Sequence, residues 1–389
     1  MTPVSHGKPC AGNPHARFDE GAPASEKPRR NALLHMTRRG FVKTAALAAT
    51  AGALAQAPSG KPEEIRSVLL HLGRNMWGWT PPAGMKVEAK GFKPLATTLE
   101  CKEELWRAAT DRAAAKGMNM VVIDLGEAVV YPSHPELAVK GAWTADKMKA
   151  EVARLKAMGL EAIPKLNFST THNGWLGDYR TMLATRTYYQ VCEDVIHDVA
   201  QIFGAPRFLH IGFDEETTRH QEYSERNLAV VVRKGELWWH DFLHVVRTCE
   251  KHGMRPWDWA DYGWHHEEYF TKCPKCVLQG SWYYDEADGD FSLDDKVNSD
   301  AFRLRELLTL EKHGFDQVPC GTNWVGWKRK KNGKGADDVI GKLVKFGRAH
   351  ISPAHLKGFM MAPWAQCDTE ANNAKNLAGI DLFGDALKG

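Results

Sequence analysis

The chain has 389 residues, 43% of them hydrophobic, and a formal net charge of +3. That is enough apolar material for one large domain or two ordinary ones, and the near-neutral balance excludes a dedicated nucleic-acid binder, which would carry a basic stripe or a known module. Fourteen tryptophans stand out; several fall at predicted strand ends, and indoles stack on the flat C–H faces of sugars, so they point towards carbohydrate, with core packing taking about half of them.

In chain order, residues 1–35 are rich in Pro, Gly and charge without an apolar period, and are expected to be a disordered leader or an over-extended start ahead of Met36. Thr37-Arg38-Arg39-Gly40-Phe41-Val42-Lys43 and the Ala/Leu run to Ala55 resemble a twin-arginine export signal over 36–55, with cleavage near Ala55. This run is too short for a permanent span, and no later stretch qualifies as one. The expectation is therefore a periplasmic or secreted protein that meets the twin-arginine export machinery. Seven of the eight cysteines follow the predicted cleavage, an odd number that spacing alone does not pair. Cys273-Pro-Lys-Cys276 is a single CxxC, more consistent with a structural turn than with zinc. The His265-His266-Glu267-Glu268 run stays unassigned.

After a linker over 56–64, short apolar runs alternate with helix-length amphipathic stretches to the end of the chain, about eight times, which predicts a single (β/α)₈ barrel over 65–389. Strands are predicted at Ser67 to Leu72, Asn119 to Leu125, Glu161 to Phe168, Arg207 to Phe213, Arg255 to Asp261, Val277 to Trp282, Gln317 to Trp324 and Leu356 to Trp364. Helices are predicted at Glu103 to Lys116, from an N-cap at Thr144 to Gly159, and at Tyr188 to Phe203, Glu236 to His252, Phe302 to His313, Asp337 to His350 and Ala371 to Leu387.

The fourth strand runs into three consecutive carboxylates, Asp214, Glu215 and Glu216. Side chains alternate along a strand, so Leu209, Ile211 and Phe213 face the helices while His210, Gly212 and Asp214 face the interior. Glu215 reaches the same mouth only if the chain leaves strand geometry there. Carboxylates at the C-terminal end of a barrel strand suit acid/base chemistry, and capping of the next helix is the competing use.

His210-Ile211-Gly212-Phe213-Asp214-Glu215 is similar to the His-Ile-Gly-Gly-Asp-Glu signature of family 20 glycoside hydrolases, the β-N-acetylhexosaminidases, and the likeness extends over most of the barrel. Gly117 to Met120 resembles the opening of that family's second strand. Trp143 through Pro164 resembles its next helix and strand. The resemblance implies a hydrolase without metal or organic cofactor acting on a carbohydrate partner, with Glu215 as general acid/base and Asp214 orienting a substrate 2-acetamido group that itself attacks the anomeric carbon. A general acid working near neutrality needs its pKa raised to about 6 to 7, which a dry site favours. Trp259, Trp282 and Trp364 fall where the family keeps tryptophans around the sugar. With them, Arg74, Asp124, Glu127, His172, His210, Asp261, Tyr284 and Trp324 form the expected substrate-binding set.

The chain departs from the family's pattern at several places. Phe213 replaces a Gly, Lys165 and Asn167 replace acidic residues, Asp124 replaces a His, and Thr322-Asn323-Trp324 lacks the family's Tyr and Asp. Two alternatives stay open: a glycosidase using a second enzyme carboxylate drawn from Glu127, Asp258, Asp261 or Asp285, and a barrel that binds carbohydrate without turnover. The basic run Lys328 to Lys331 with Lys334 follows the seventh strand, where it could attract anionic sugars or simply be solvated.

Overall fold

The computed structural model describes residues 63–79, 93–216, 233–284, 291–298, 300–323 and 339–388. The export signal, Asp285, Trp324 and the basic run lie outside them. Among the described residues, eight parallel strands alternate with eight α-helices in chain order: β1 Ile65–His71, α1 Glu103–Ala115, β2 Met120–Asp124, α2 Ala145–Ala157, β3 Glu161–Lys165, α3 Arg186–Phe203, β4 Phe208–Gly212, α4 Glu236–Lys251, β5 Arg255–Asp258, α5 Tyr269–Lys272, β6 Leu278–Gln279, α6 Ala301–Lys312, β7 Cys320–Gly321, α7 Val339–His350, β8 Gly358–Met361 and α8 Glu370–Ala386. Each strand from β1 to β6 pairs with the next, and β1 pairs with β8, which pairs with β7. The parallel bridges Gln279↔Gln317 and Trp282↔Cys320 bring β6 to β7, so neighbours run in sequence order right round the ring. This is the (β/α)₈ barrel.

Both faces of the strands are buried, as a parallel sheet inside a helical ring requires. All five residues of β2 and of β4 are buried. Inside, Leu69, Met120, Ile163, Trp257, Leu278 and Met360 fill the barrel; outside, Val68, Val121, Leu209 and Ile211 join the layer that receives the helices. Helix ends follow local chemistry: the Thr144, Thr185 and Thr369 hydroxyls accept the backbone N–H groups of Lys147, Tyr188 and Asn372. Gly204, in the left-handed region, stops α3.

All strands but β1 are shorter than the sequence predicts, most of all β6, β7 and β8. After Asp258 the chain turns into a 3₁₀ stretch at Ala260–Trp264, and it is in these early departures from the sheet that the aromatic residues of the barrel mouth are found.

Candidate active site

The end of β4 is the point where the backbone leaves strand geometry. Register with β5 shifts between His210 and Gly212. Gly212 has φ +75°, and a Cβ there would lie 2.0 Å from Asn167 Oδ1. Phe213 (φ +68°) and Glu215 (φ +58°) are also left-handed, a conformation that costs an L-residue about 1–2 kcal/mol. Packing holds Phe213 there. Its ring faces the helices, 5.7 Å from Trp238 and 5.1 Å from Phe242, with the Arg233 guanidinium 4.4 Å from its centroid.

These turns send the three carboxylates to different places. Asp214 and Glu215 face the mouth of the barrel. Glu216 goes outwards and is fully buried: it accepts Arg233 Nη2 at 2.8 Å and Nε at 3.0 Å, while Arg233 Nη1 reaches Asp241 at 3.0 Å. Glu216 thus balances the Arg233 charge within the scaffold.

The acid pair is held from below and from the side. Asn167 Nδ2 donates to Asp214 Oδ1 at 2.8 Å, and the Ser169 hydroxyl donates to the Asp214 carbonyl. Asn167 therefore supplies an amide donor where the resembled family has an acid, sparing Asp214 a second like charge. His172 Nε2 lies 2.9 Å from Glu215 Oε2 and 3.4 Å from Asp214 Oδ2, so one imidazole bridges both. Burial alone would lower the His172 pKa, but the charges of Asp214 and Glu215 outweigh it and the net direction is up. Asp261 Oδ2 accepts the backbone N–H of Glu215 at 2.9 Å. Burial, then the Asp214 charge, push the Asp261 carboxyl well above its ordinary value.

Above the pair opens a cleft of about 450 Å³, in the size range of small-molecule sites. Trp364 is the centre of its aromatic wall, with ring centroids 6.1 Å from Trp77, 6.0 Å from Trp259 and 6.3 Å from Tyr284. Trp282 stacks on Tyr284 at 4.8 Å and 27°. Trp364 is left-handed too, at φ +52°, so the wall and the acids both rest on backbone that the fold has to impose.

Seven residues singled out in the sequence line this cleft: His172, Asp214, Glu215, Trp259, Trp282, Tyr284 and Trp364. Five others do not, which corrects the expectation of direct contact. Arg74 is drawn aside by an ion pair with Glu100 at 2.7 Å. Glu127 is buried behind the turn after β1 and accepts the N–H groups of Arg74 and Asn75. Asp124 is sealed by Lys165. His210 lies under Trp259, centroids 4.6 Å apart, as part of the floor. Asp261 acts through the Glu215 backbone. Met76, Trp77, Gln366, Asn372 and Lys375 line the cleft without having been singled out for it. They come from the 3₁₀ turn Asn75–Trp77, from the loop before α8 and from the first turns of α8; a tryptophan closely following a strand end was the available signal for Trp77.

Of the carboxylates proposed as a second catalytic group, Glu127 and Asp261 are engaged as described. Asp258 is buried and accepts the Tyr269 hydroxyl at 2.6 Å, and burial raises its pKa to about 7. Among the described residues no group of three His, Cys, Asp or Glu side chains is placed to hold a metal ion, and none of the helices is long and apolar enough to cross a membrane.

No family model and no curated protein matches the sequence. Solved structures do. The family 20 β-N-acetylhexosaminidase of Streptomyces coelicolor superposes with a TM-score of 0.54 at 15% identity, over 83% of this chain and 65% of that one. The fold is shared with the family 20 barrels. The pneumococcal virulence factor StrH, described for N-glycan recognition and hydrolysis, gives 0.55 at 12% identity over 84% of both chains. The Vibrio harveyi exo-β-N-acetylglucosaminidase, solved with N-acetylglucosamine, gives 0.52 at 15% identity, over 84% of this chain and 57% of that one. The chain thus spans less than two thirds of two of these three neighbours.

Proposed function

We propose that the chain is an exported glycoside hydrolase that removes a terminal β-linked 2-acetamido sugar with retention of configuration. The observation that carries the reading is that Asp214 and Glu215, adjacent in sequence, both open into one tryptophan-walled cleft beside His172. Glu215 protonates the glycosidic oxygen as the bond to the leaving sugar breaks, and its carboxylate then takes a proton from the incoming water. Asp214, pinned by Asn167, orients the acetamide N–H so that the amide oxygen attacks the anomeric carbon. His172 holds the two carboxylates in register and offsets part of their charge. The indoles cover the sugar faces and keep bulk water from the oxocarbenium-like transition state.

Glu127, Asp258 and Asp261 are all turned away from the cleft, which favours substrate assistance over a second enzyme carboxylate. Asn323 donates to the Lys375 carbonyl at 2.8 Å, within the scaffold. Export rests on the twin-arginine sequence.

The test is a panel of chromogenic β-glycosides assayed with the wild type, Glu215→Gln and Asp214→Asn. Turnover confined to 2-acetamido sugars and lost in both variants supports the proposal. Turnover of sugars lacking the acetamide replaces it with a two-carboxylate mechanism, and saturable binding without turnover replaces it with a carbohydrate-binding barrel.

A further inference from the structure

Seven cysteines lie among the described residues, all with free thiols, and two of them meet across the seam between β1 and β8. Cys101 sits in the approach to α1 and Cys367 in the approach to α8, far apart in sequence. His71 at the end of β1 bridges to Gln366. The backbone N–H of Lys102 donates to the Cys367 carbonyl at 2.7 Å, and the Cys101 thiol lies 3.9 Å from the Lys102 carbonyl. Both cysteines line the same small crevice behind the cleft, with Arg74, Glu100 and Glu127. Cys101 is half-buried, and Cys367 is fully buried with the Asn376 amide donating to its sulfur at 3.5 Å.

We propose that Cys101 and Cys367 are a disulfide site, closed when the folded chain meets a small-molecule disulfide or a disulfide-bearing oxidoreductase. The reachable Cys101 thiolate attacks the external disulfide, forming a mixed disulfide and releasing one thiolate. Cys367 then attacks the Cys101 sulfur, the Cys101–Cys367 bond forms, and the second external thiolate leaves. Two thiol protons and two electrons pass to the external disulfide, which departs as two thiols. The hydrogen bond that the Cys101 thiol donates to Cys367, followed by burial, pushes the Cys101 thiol up. It is a slow nucleophile, suited to a structural link rather than to rapid redox turnover.

The link would tie the loop entering α1 to the loop entering α8. The latter carries Trp364, Ala365 and Gln366 in the cleft wall. No other described pair joins loops so distant: Cys273 and Cys276 share one turn, and the Cys273 sulfur accepts the Gln279 amide at 3.6 Å.

The test equilibrates purified protein across a series of reduced-to-oxidised glutathione ratios, quenches in acid, alkylates the remaining thiols and maps them by peptide mass spectrometry. The expected result is that Cys101 and Cys367 leave the alkylated pool together and reappear as one linked peptide pair, independent of protein concentration and reversed by dithiothreitol. Oxidation should raise Tm by about 5 °C or more, because the link closes a long loop, and Cys101→Ser should abolish both the pair and the rise. Either of two outcomes overturns the proposal: Cys101 staying alkylated or carrying glutathione while Cys367 remains free, or Cys101→Ser showing the same oxidative rise in Tm. Cys367→Ser, which leaves the half-exposed Cys101 to be counted by alkylation, keeps the test decisive if one variant folds poorly.

Discussion

Asp124, beside His71 and Lys165 at the ends of β2, β1 and β3, and Asp214, beside His172 and Glu215 beyond β4 and β3, each set an aspartate against an imidazole, yet the two clusters meet opposite fates. In the first, Lys165 Nζ is 2.5 Å from Asp124 Oδ2, neither side chain reaches solvent, and the pairing holds Asp124 at about 2 despite a burial that would raise it. In the second, Glu215 is about one third exposed, and the shared imidazole bridges two carboxylates that face an open cleft. A charge at a barrel mouth becomes part of the scaffold when a neighbour of opposite sign fills its lone pairs, and stays available for chemistry when it is shared and left open.

The sharpest way to break this comparison is to neutralise one acid from each cluster. Glu215→Gln should lower kcat/KM by about 10³ and leave Tm nearly unchanged, because the substitution keeps the shape of a side chain that is about one third exposed; a melt and a rate assay on one preparation check both halves. Lys165→Met should do the reverse in kind, destabilising the fold by about 3–5 kcal/mol by leaving Asp124 buried without its partner. Denaturant unfolding measures it, and adding Asp124→Leu should recover most of the loss.

A smaller effect separates bridging from bonding. His172→Gln keeps a donor but removes the charge, and should cost about tenfold to a hundredfold in kcat/KM. The pKa of His172 is raised when folded, so its charged contacts are present below the ordinary value and are lost as pH rises through the folded one. The wild type should therefore show an alkaline limb above pH 6.5 that is missing from the variant's pH profile.

An effect on stability alone concerns a third group, Glu306, which is buried and accepts from Trp264 and Ser281. Burial raises its pKa from 4.5 to about 8. A carboxyl raised on folding adds stability that is complete below its unfolded value and is lost as pH rises to the folded one. Between pH 4.5 and about 8 it should remove about 1.4 kcal/mol of stability per pH unit. Glu306→Gln should flatten that slope in urea titrations.

The barrel was legible because alternating apolar runs and helical periods leave few other ways to bury both faces of eight strands. The acid pair was legible because strand alternation demanded a turn at Glu215, and Gly212, Phe213 and Glu215 supply it in left-handed conformations. Arg74, Asp124 and Glu127 misled because sequence places a charge at a strand end without revealing its partner: Glu100 and Lys165 lie 26 and 41 residues along the chain from the first two, and the Glu127 carboxylate is taken up by backbone N–H groups. Trp77 and Gln366 escaped because they stand in aperiodic turns, where only three-dimensional closure decides which way a side chain points, and Lys375 because it is a polar position in the first turns of α8.

The central claim is that a sugar ring sits between the aromatic wall and the neighbouring acids, and a crystal structure of Glu215→Gln soaked with a β-linked 2-acetamido disaccharide tests it most directly. The account predicts a ring packed against Trp364 and Trp259, with the glycosidic oxygen within hydrogen-bond reach of residue 215 and the acetamide N–H on Asp214. A disaccharide bound elsewhere on the barrel, or seated in the cleft with its scissile oxygen turned away from residue 215, would contradict it.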